Sequence, residues 1–363
     1  MNRTTQTADR RRRTGRGARL LTGTAAAAVV AGLLTGTAAA AVVAGGAFLL
    51  ADDATAGEEP AAAARGPAGT PFAPYVDTSL RPSFDLLDNA RETGVEEYQL
   101  GFVTSAGGAC EPRWGGTQEL TDNPVARQIP RLRDEGGDVR VSFGGASGTE
   151  LALACDSSDA LAAAYGKVVD TFGLKKIDLD IEGAALPDTA AGERRAKAVA
   201  ALQRSHPDLD VSYTLPVLPE GLTEPGVKLL ENARADGVRI STVNVMAMDY
   251  GPSYQGDMGE YATRAATAAH RQVATALGLG DAAAWKALAV TPMIGVNDVG
   301  GEVFEPADAR QVKAFADEHG LGRLSMWSAT RDKPCPGGPK EQADPACSSI
   351  RQDPHAFTEA FTG

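Results

Sequence analysis

Histidine and cysteine are scarce in these 363 residues, with four of each. The histidines, His206, His270, His319 and His355, stand singly, and no HExxH occurs, so metal is expected to have no part. No CxxC pair is present, and neither a P-loop nor a GxGxxG follows a strand-like run. Zinc-ribbon, nucleotide-phosphate and dinucleotide chemistry are therefore disfavoured. Positive charge is also scarce beyond the first 69 residues. From Thr70 onward there are 27 basic and 42 acidic side chains, a net formal charge of −15. Such a surface repels phosphate backbones and anionic polysaccharides, so no nucleic-acid partner is expected and a neutral substrate fits better.

The arginines gather at the start. "MNRTTQTADRRRRTGRGAR" carries seven of them and one acid, and an uncharged run from Leu20 to Leu50 follows, within which "LTGTAAAAVVAG" is repeated. A basic start and an apolar run mark an export signal or a membrane anchor. At 31 residues the run is longer than a signal-peptide core of roughly 7–15, and long enough to span a bilayer. Its Ala and Gly make it weakly hydrophobic, and "ATA" at 54–56 offers a cleavage site. Residues 1–50 are thus read as signal peptide or anchor, the two remaining open, and any membrane contact is expected through this segment alone. In either form the rest of the chain is exported, to the extracellular space or the outer face of the cytoplasmic membrane. Residues 51–69, rich in Ala, Pro and Gly, read as a linker, and residues 70–363 as the folded body.

In that body, β-rich runs at 72–77, 97–105, 139–145, 176–183, 209–217, 240–249, 287–296 and 324–329 alternate with helical patterns. Pro225 after Glu224 marks a helix start, and Gly94 and Gly320 mark helix ends. Eight strands alternating with helices over about 290 residues predict a (β/α)8 TIM barrel of the α/β class. A doubly wound open sheet is the alternative. The fourth run reads "LKKIDLDIEG", with Asp178, Asp180 and Glu182 alternating with Ile177, Leu179 and Ile181. Side chains alternate faces along a strand, so the acids share one face. In a barrel that face points inward, where branched aliphatics are usual and packed like charges raise at least one pKa. The acids run toward the carboxyl end of the strand, where barrel enzymes carry their sites.

"IDLDIE" resembles the DxxDxDxE signature of glycoside hydrolase family 18, the chitinases and related endo-N-acetylglucosaminidases. "SFGG" (142–145) is similar to that family's third-strand SxGG, "MAMDYG" (246–251) to its sixth-strand motif, and "MWS" (326–328) to its eighth-strand tryptophan. The similarity covers about 70 to 335, and it is to bacterial members with a compact barrel. It implies retaining hydrolysis of β-1,4-linked N-acetylglucosamine polymers, with the substrate's 2-acetamido carbonyl as nucleophile and no metal or organic cofactor. On this basis Glu182 is the general acid/base, Asp180 orients the acetamido group, and Asp178 shares a proton with Asp180. Substrate contacts are expected from Asp249, Trp327, Met246, Tyr250, Tyr213, Asn297, Asp77, Tyr75 and Trp114. Ser142, Gly144 and Gly145 are expected to let backbone approach the acids.

Two positions depart from the family pattern. Lys175 stands where the signature has its first Asp, a position thought to be structural. Met248 stands where many members have a Tyr whose hydroxyl meets the acetamido oxygen, leaving Tyr213 or Tyr250 to replace it, or neither. An endo-β-N-acetylglucosaminidase acting on N-glycans and a sugar-binding lectin on the same barrel are the alternatives; such lectins commonly lack the terminal glutamate, which is present here. A chitin or chitooligosaccharide partner and a monomeric chain are expected. Cys110 and Cys155 follow the second and third strands, and Cys335 and Cys347 the eighth, so disulfides 110–155 and 335–347 are predicted at one barrel face.

Overall fold

A computed structural model of the chain describes residues 69–363. The expected leader, residues 1–50, and the linker up to residue 68 lie outside the described residues. Eight parallel strands form the barrel wall: β1 (Tyr75–Asp77), β2 (Glu97–Ala106), β3 (Asp138–Gly144), β4 (Lys176–Asp180), β5 (Asp210–Leu218), β6 (Thr242–Ala247), β7 (Leu288–Pro292) and β8 (Arg323–Leu324). Each pairs with the next in chain order. The Ala73 N–H donates to the Leu324 carbonyl at 2.9 Å and the Tyr75 N–H to that of Met326 at 3.0 Å, closing the sheet on itself. A closed barrel leaves no unpaired edge.

Helices alternate with the strands and cover the outside: α1 (Leu86–Thr93), α2 (Ile129–Asp134), α3 (Ser158–Phe172), α4 (Thr189–Ser205), α5 (Glu224–Ala235), α6 (Met258–Leu277), α7 (Pro306–His319) and α8 (Ala356–Thr362). Asp85, Ser157, Asp188 and Asp257 each accept a backbone N–H at a helix start, a cap worth about 1 kcal/mol. Among the described residues no helix is long and apolar enough to cross a membrane.

The two faces of the wall differ in chemistry. Val141, Phe143, Ile177, Leu179, Val211, Val243 and Val245 are fully buried and belong to the apolar core. The alternate residues meet inside the barrel as a polar layer. Thr291 Oγ1 donates to Asn244 Oδ1 (2.8 Å), Asn244 Nδ2 to Thr214 Oγ1 (3.0 Å), and Gln99 Nε2 to Ser325 Oγ (2.9 Å). Buried polar groups are tolerated when they are hydrogen-bonded to one another.

The strand ends differ from the sequence expectation where a site residue turns the chain. The sixth run, expected over 240–249, stops at Ala247, ahead of Asp249, which has φ 50°. The seventh, expected over 287–296, divides into β7 and a two-residue strand, Gly295–Val296, paired with Val303–Phe304. An unexpected strand, Ala109–Trp114, folds back antiparallel on β2. Both predicted disulfides, Cys110–Cys155 and Cys335–Cys347, are formed.

Candidate active site

The β4 acids sit at three depths. Asp178, the lowest, is fully buried and collects four hydroxyls: Tyr75 (3.0 Å) and Ser142 (2.7 Å) on Oδ2, Ser212 (2.5 Å) and Thr214 (2.9 Å) on Oδ1. The register explains the convergence, because Asp178 is level with Ser142 on β3 and with Ser212 on β5. Ser142 therefore contributes its side chain, beyond letting the backbone come close. Hydroxyls occupy both Asp178 oxygens.

Asp180, one step higher, is 4% exposed, and its Oδ1 has no hydrogen-bond partner among the described residues. Burial, and then the charges of Glu182 and Asp178, hold its carboxyl well above the usual carboxylate range. Glu182 follows the strand, in an extended conformation ahead of a short 3-10 turn, Gly183–Ala185. Burial, and then the charge of Asp249, push its carboxyl up to about 7. At neutral pH a large share of Glu182 thus keeps its proton, the state required of a general acid.

Glycines let β3 close against this strand. Gly144 has φ 100°, and a Cβ there would lie 2.1 Å from the Asp180 carbonyl oxygen. At Gly145, with φ 84°, a Cβ would strike the Phe102 ring at 2.7 Å. Any side chain at either position displaces Asp180 or Phe102.

Phe102 belongs to an aromatic wall. Its ring stacks on Trp327 with centroids 5.5 Å apart, and Tyr75 leans on both, at 6.1 Å from Phe102 and 5.9 Å from Trp327. Trp327 is half-buried, leaving indole surface open to the cavity above the acids. That cavity measures about 310 Å³, at the small end of ligand pockets. Tyr75, Asp180, Glu182, Met246, Asp249 and Trp327, all expected site residues, line it. Asp249 accepts the Val299 N–H at 2.9 Å. Burial, and then the charge of Asp298, raise its pKa against that hydrogen bond.

Five expected contacts lie elsewhere. Tyr213 sits between Ser212 and Thr214, whose side chains point inward, so its own ring is turned out beneath the helices, where burial raises its hydroxyl pKa and the Arg195 charge opposes it. The ring of Tyr250 packs against Tyr254 and Tyr261, outside the cavity lining. Neither tyrosine supplies the missing sixth-strand hydroxyl, and Met248 lines the cavity in its place. Trp114 is 2% exposed, beside Phe172, with its indole N–H on the Leu120 carbonyl (3.2 Å). Asp77 caps its own turn through Ser79. Asn297 is buried and donates to the Met293 and Gly295 carbonyls. Lys175 is exposed, away from the cavity.

Sequence reasoning missed Phe102, Thr214, Asp298 and Arg331, all of which line the cavity. Nothing local in the sequence marked them; Thr214 follows only from the register of β5 against β4. Ala343, Asp344 and Pro345, inside the loop closed by Cys335–Cys347, complete one wall.

No protein-family model matches the sequence. It is 39% identical over 308 residues to a probable bifunctional chitinase/lysozyme of Escherichia coli, and 39% identical over 281 residues to Endochitinase 11 of Metarhizium anisopliae. These alignments take in 80% and 72% of this chain but only 34% and 52% of the two relatives, so the chain spans about half their length or less. Among solved structures, the catalytic domain of the Pyrococcus furiosus chitinase is 34% identical and superimposes with a TM-score of 0.73, covering 82% of this chain and 96% of that domain. A family 18 chitinase from Pseudoalteromonas aurantia, at 19% identity and a TM-score of 0.51, shares the fold. With nearly the whole of the Pyrococcus domain matched at this identity, the chain belongs to glycoside hydrolase family 18, the chitinases.

Proposed function

We propose that the protein hydrolyses β-1,4 bonds between N-acetylglucosamine units, with retention of configuration, through participation of the substrate's own acetamido group. One observation carries the reading. A carboxyl whose pKa is raised to about 7, Glu182, shares a cavity with a second buried carboxyl, Asp180, that has an unpaired oxygen, and an aromatic wall borders both. An open acceptor deep in a cavity suits an amide N–H brought by the ligand.

In the first step Glu182 gives its proton to the glycosidic oxygen as the bond to C1 breaks. The acetamido carbonyl oxygen forms the new bond to C1, on the face opposite the leaving sugar. Asp180 accepts the acetamido N–H, orients the group, and stabilises the cationic oxazolinium ring that results. The leaving sugar departs with the proton from Glu182. The Glu182 carboxylate then takes a proton from water as that water attacks C1, which reopens the ring and restores the acid. Two inversions give net retention. Trp327 offers its ring face to the apolar face of the sugar. This scheme needs no carboxylate nucleophile, as in the substrate-assisted exceptions to the two-carboxylate mechanism.

Two disulfides support a reading of the chain as exported to an oxidising compartment, with residues 1–50 as the export signal or anchor. The function is tested by incubating the protein with chitohexaose and following the anomer first formed by NMR, with and without a thiazoline analogue of the oxazolinium ring. A β-anomer and inhibition are expected. An α-anomer, or activity indifferent to the thiazoline, refutes the mechanism. Cleavage of a high-mannose glycopeptide with chitohexaose left intact would move the substrate to N-glycans, and binding without cleavage would indicate a lectin.

A further inference from the structure

We infer that Glu302, a buried carboxylate outside the cavity lining, is a positioning residue that holds Asp249 in place beside the general acid; the inference rests on the hydrolase reading above. Asp249 has φ 50°, a left-handed conformation that costs a residue with a Cβ free energy and persists only when its surroundings impose it. The surroundings here are specific. Glu302 is 1% exposed and accepts the N–H groups of the two residues after Asp249: Tyr250 on Oε2 at 3.1 Å and Gly251 on Oε1 at 2.8 Å. The Asp249 N–H itself points at Asn297 Oδ1, 3.5 Å away. Three successive backbone N–H groups thus form a concave nest, the shape that suits an anion. A carboxylate fills it from the neighbouring hairpin.

The hairpin is braced in turn. The Asn297 N–H donates to the Glu302 carbonyl (3.0 Å), the Glu302 N–H to the Val299 carbonyl (3.2 Å), and the Val299 N–H to Asp249 Oδ1 (2.9 Å). Glu302 therefore clamps the backbone of the turn and Val299 the side chain, and together they leave Asp249 one place to stand. Both oxygens of Glu302 are used, one per N–H. A glutamine would keep one acceptor and turn an NH2 toward the other donor, leaving a buried N–H unpaired.

The position of Asp249 matters because its charge is one of the two influences that keep Glu182 protonated, the other being burial. The ionisable groups facing this corner are Asp180 on β4 and Glu182 after it, Asp249 after β6, Asp298 and Glu302 on the hairpin, and Arg331 and Asp344 beyond β8. The Arg331 charge favours the ionised form of Asp249, and Asp298 opposes it. If Glu302 lets the turn relax, Asp249 leaves, and Glu182 loses its proton at lower pH.

The test is the pH profile of chitohexaose hydrolysis for wild type, Asp249→Asn, Glu302→Gln, Glu302→Asp and the double variant Asp249→Asn with Glu302→Gln. Glu302→Gln should lower kcat by about tenfold, the scale of a lost hydrogen bond to a charged group, and move the alkaline limb to lower pH. Glu302→Asp, which keeps both oxygens on a shorter stem, should move the limb the same way by less; it stands alone if the glutamine variant fails to fold. The double variant should be no slower than Asp249→Asn alone, because the two residues act as one unit. Folded Glu302 variants with reduced thermal stability but an unmoved alkaline limb would overturn the inference and leave the hydrolase reading intact. A wild-type protein inert on chitohexaose would overturn both.

Discussion

Glu182→Gln separates the chemical role of the buried acid from its energetic cost. In the fold the Glu182 carboxyl is pushed up to about 7, against an ordinary 4.5 for a free glutamate. At pH 4 the folded and unfolded chains both carry the proton, and the group is neutral in each. Between 4.5 and 7 the unfolded chain releases it while the folded chain retains it. The native state then binds more protons, so stability must fall as pH rises through this window. Above the folded value the whole penalty is present, on the order of 3 kcal/mol for a rise of this size. Glutamine keeps the shape and never ionises, so it escapes that loss. The variant should therefore match wild type at pH 4 to within about 1 kcal/mol and exceed it by up to about 3 kcal/mol at pH 8.5. Its hydrolysis should fall by about 100-fold or more, the scale of a lost general acid. Urea unfolding at the two pH values, with chitohexaose turnover measured alongside, checks both halves. A stability difference that stays flat across pH refutes the raised proton affinity; full turnover refutes the assignment of Glu182 as the acid.

Two further substitutions test the walls of the cavity. Trp327→Ala should raise KM for chitohexaose by about tenfold, or ~1.4 kcal/mol, with a smaller change in kcat, since it removes a sugar-facing surface and no proton donor; an unchanged KM would show that the indole surface is not used. Gly144→Ala should cost more than about 1 kcal/mol of stability, because the new methyl meets the Asp180 carbonyl oxygen and the backbone is left-handed there. It should slow turnover as well, by displacing Asp180, and a variant with wild-type melting temperature and rate would contradict that packing.

The barrel and the acid column were legible because both are local patterns. Ile177 and Leu179 alternate with Asp178 and Asp180 within a single strand, and the strands recur at regular intervals. Partners across the barrel were harder to see. Four hydroxyls meet on Asp178 from β1, β3 and β5, and their convergence depends on a register that adjacent residues do not encode. The expectation for Tyr213 failed for the same reason. Once Ser212 is level with Asp178, parity sends Tyr213 outward, yet without that register either parity was open. Phe102 and Glu302 were missed because each acts through an element distant in sequence, Trp327 in one case and the turn after β6 in the other. Asp249 was found from its motif, while its left-handed backbone could not be read from "MAMDYG".

The wall formed by Ala343, Asp344 and Pro345 is fastened differently from the column of acids on β4. It hangs in a loop that a sulfur–sulfur bond closes across a sequence separation of 12, whereas the acids stand on the barrel itself. Reduction would cut the first kind of attachment and leave the second as it was. Protein produced in a reducing cytosol would therefore carry a complete proton-transfer apparatus behind a loosened rim. On the proposed function, its grip on long saccharide chains would suffer before its chemistry did, and a preparation scored only on a small chromogenic glycoside would pass as fully active.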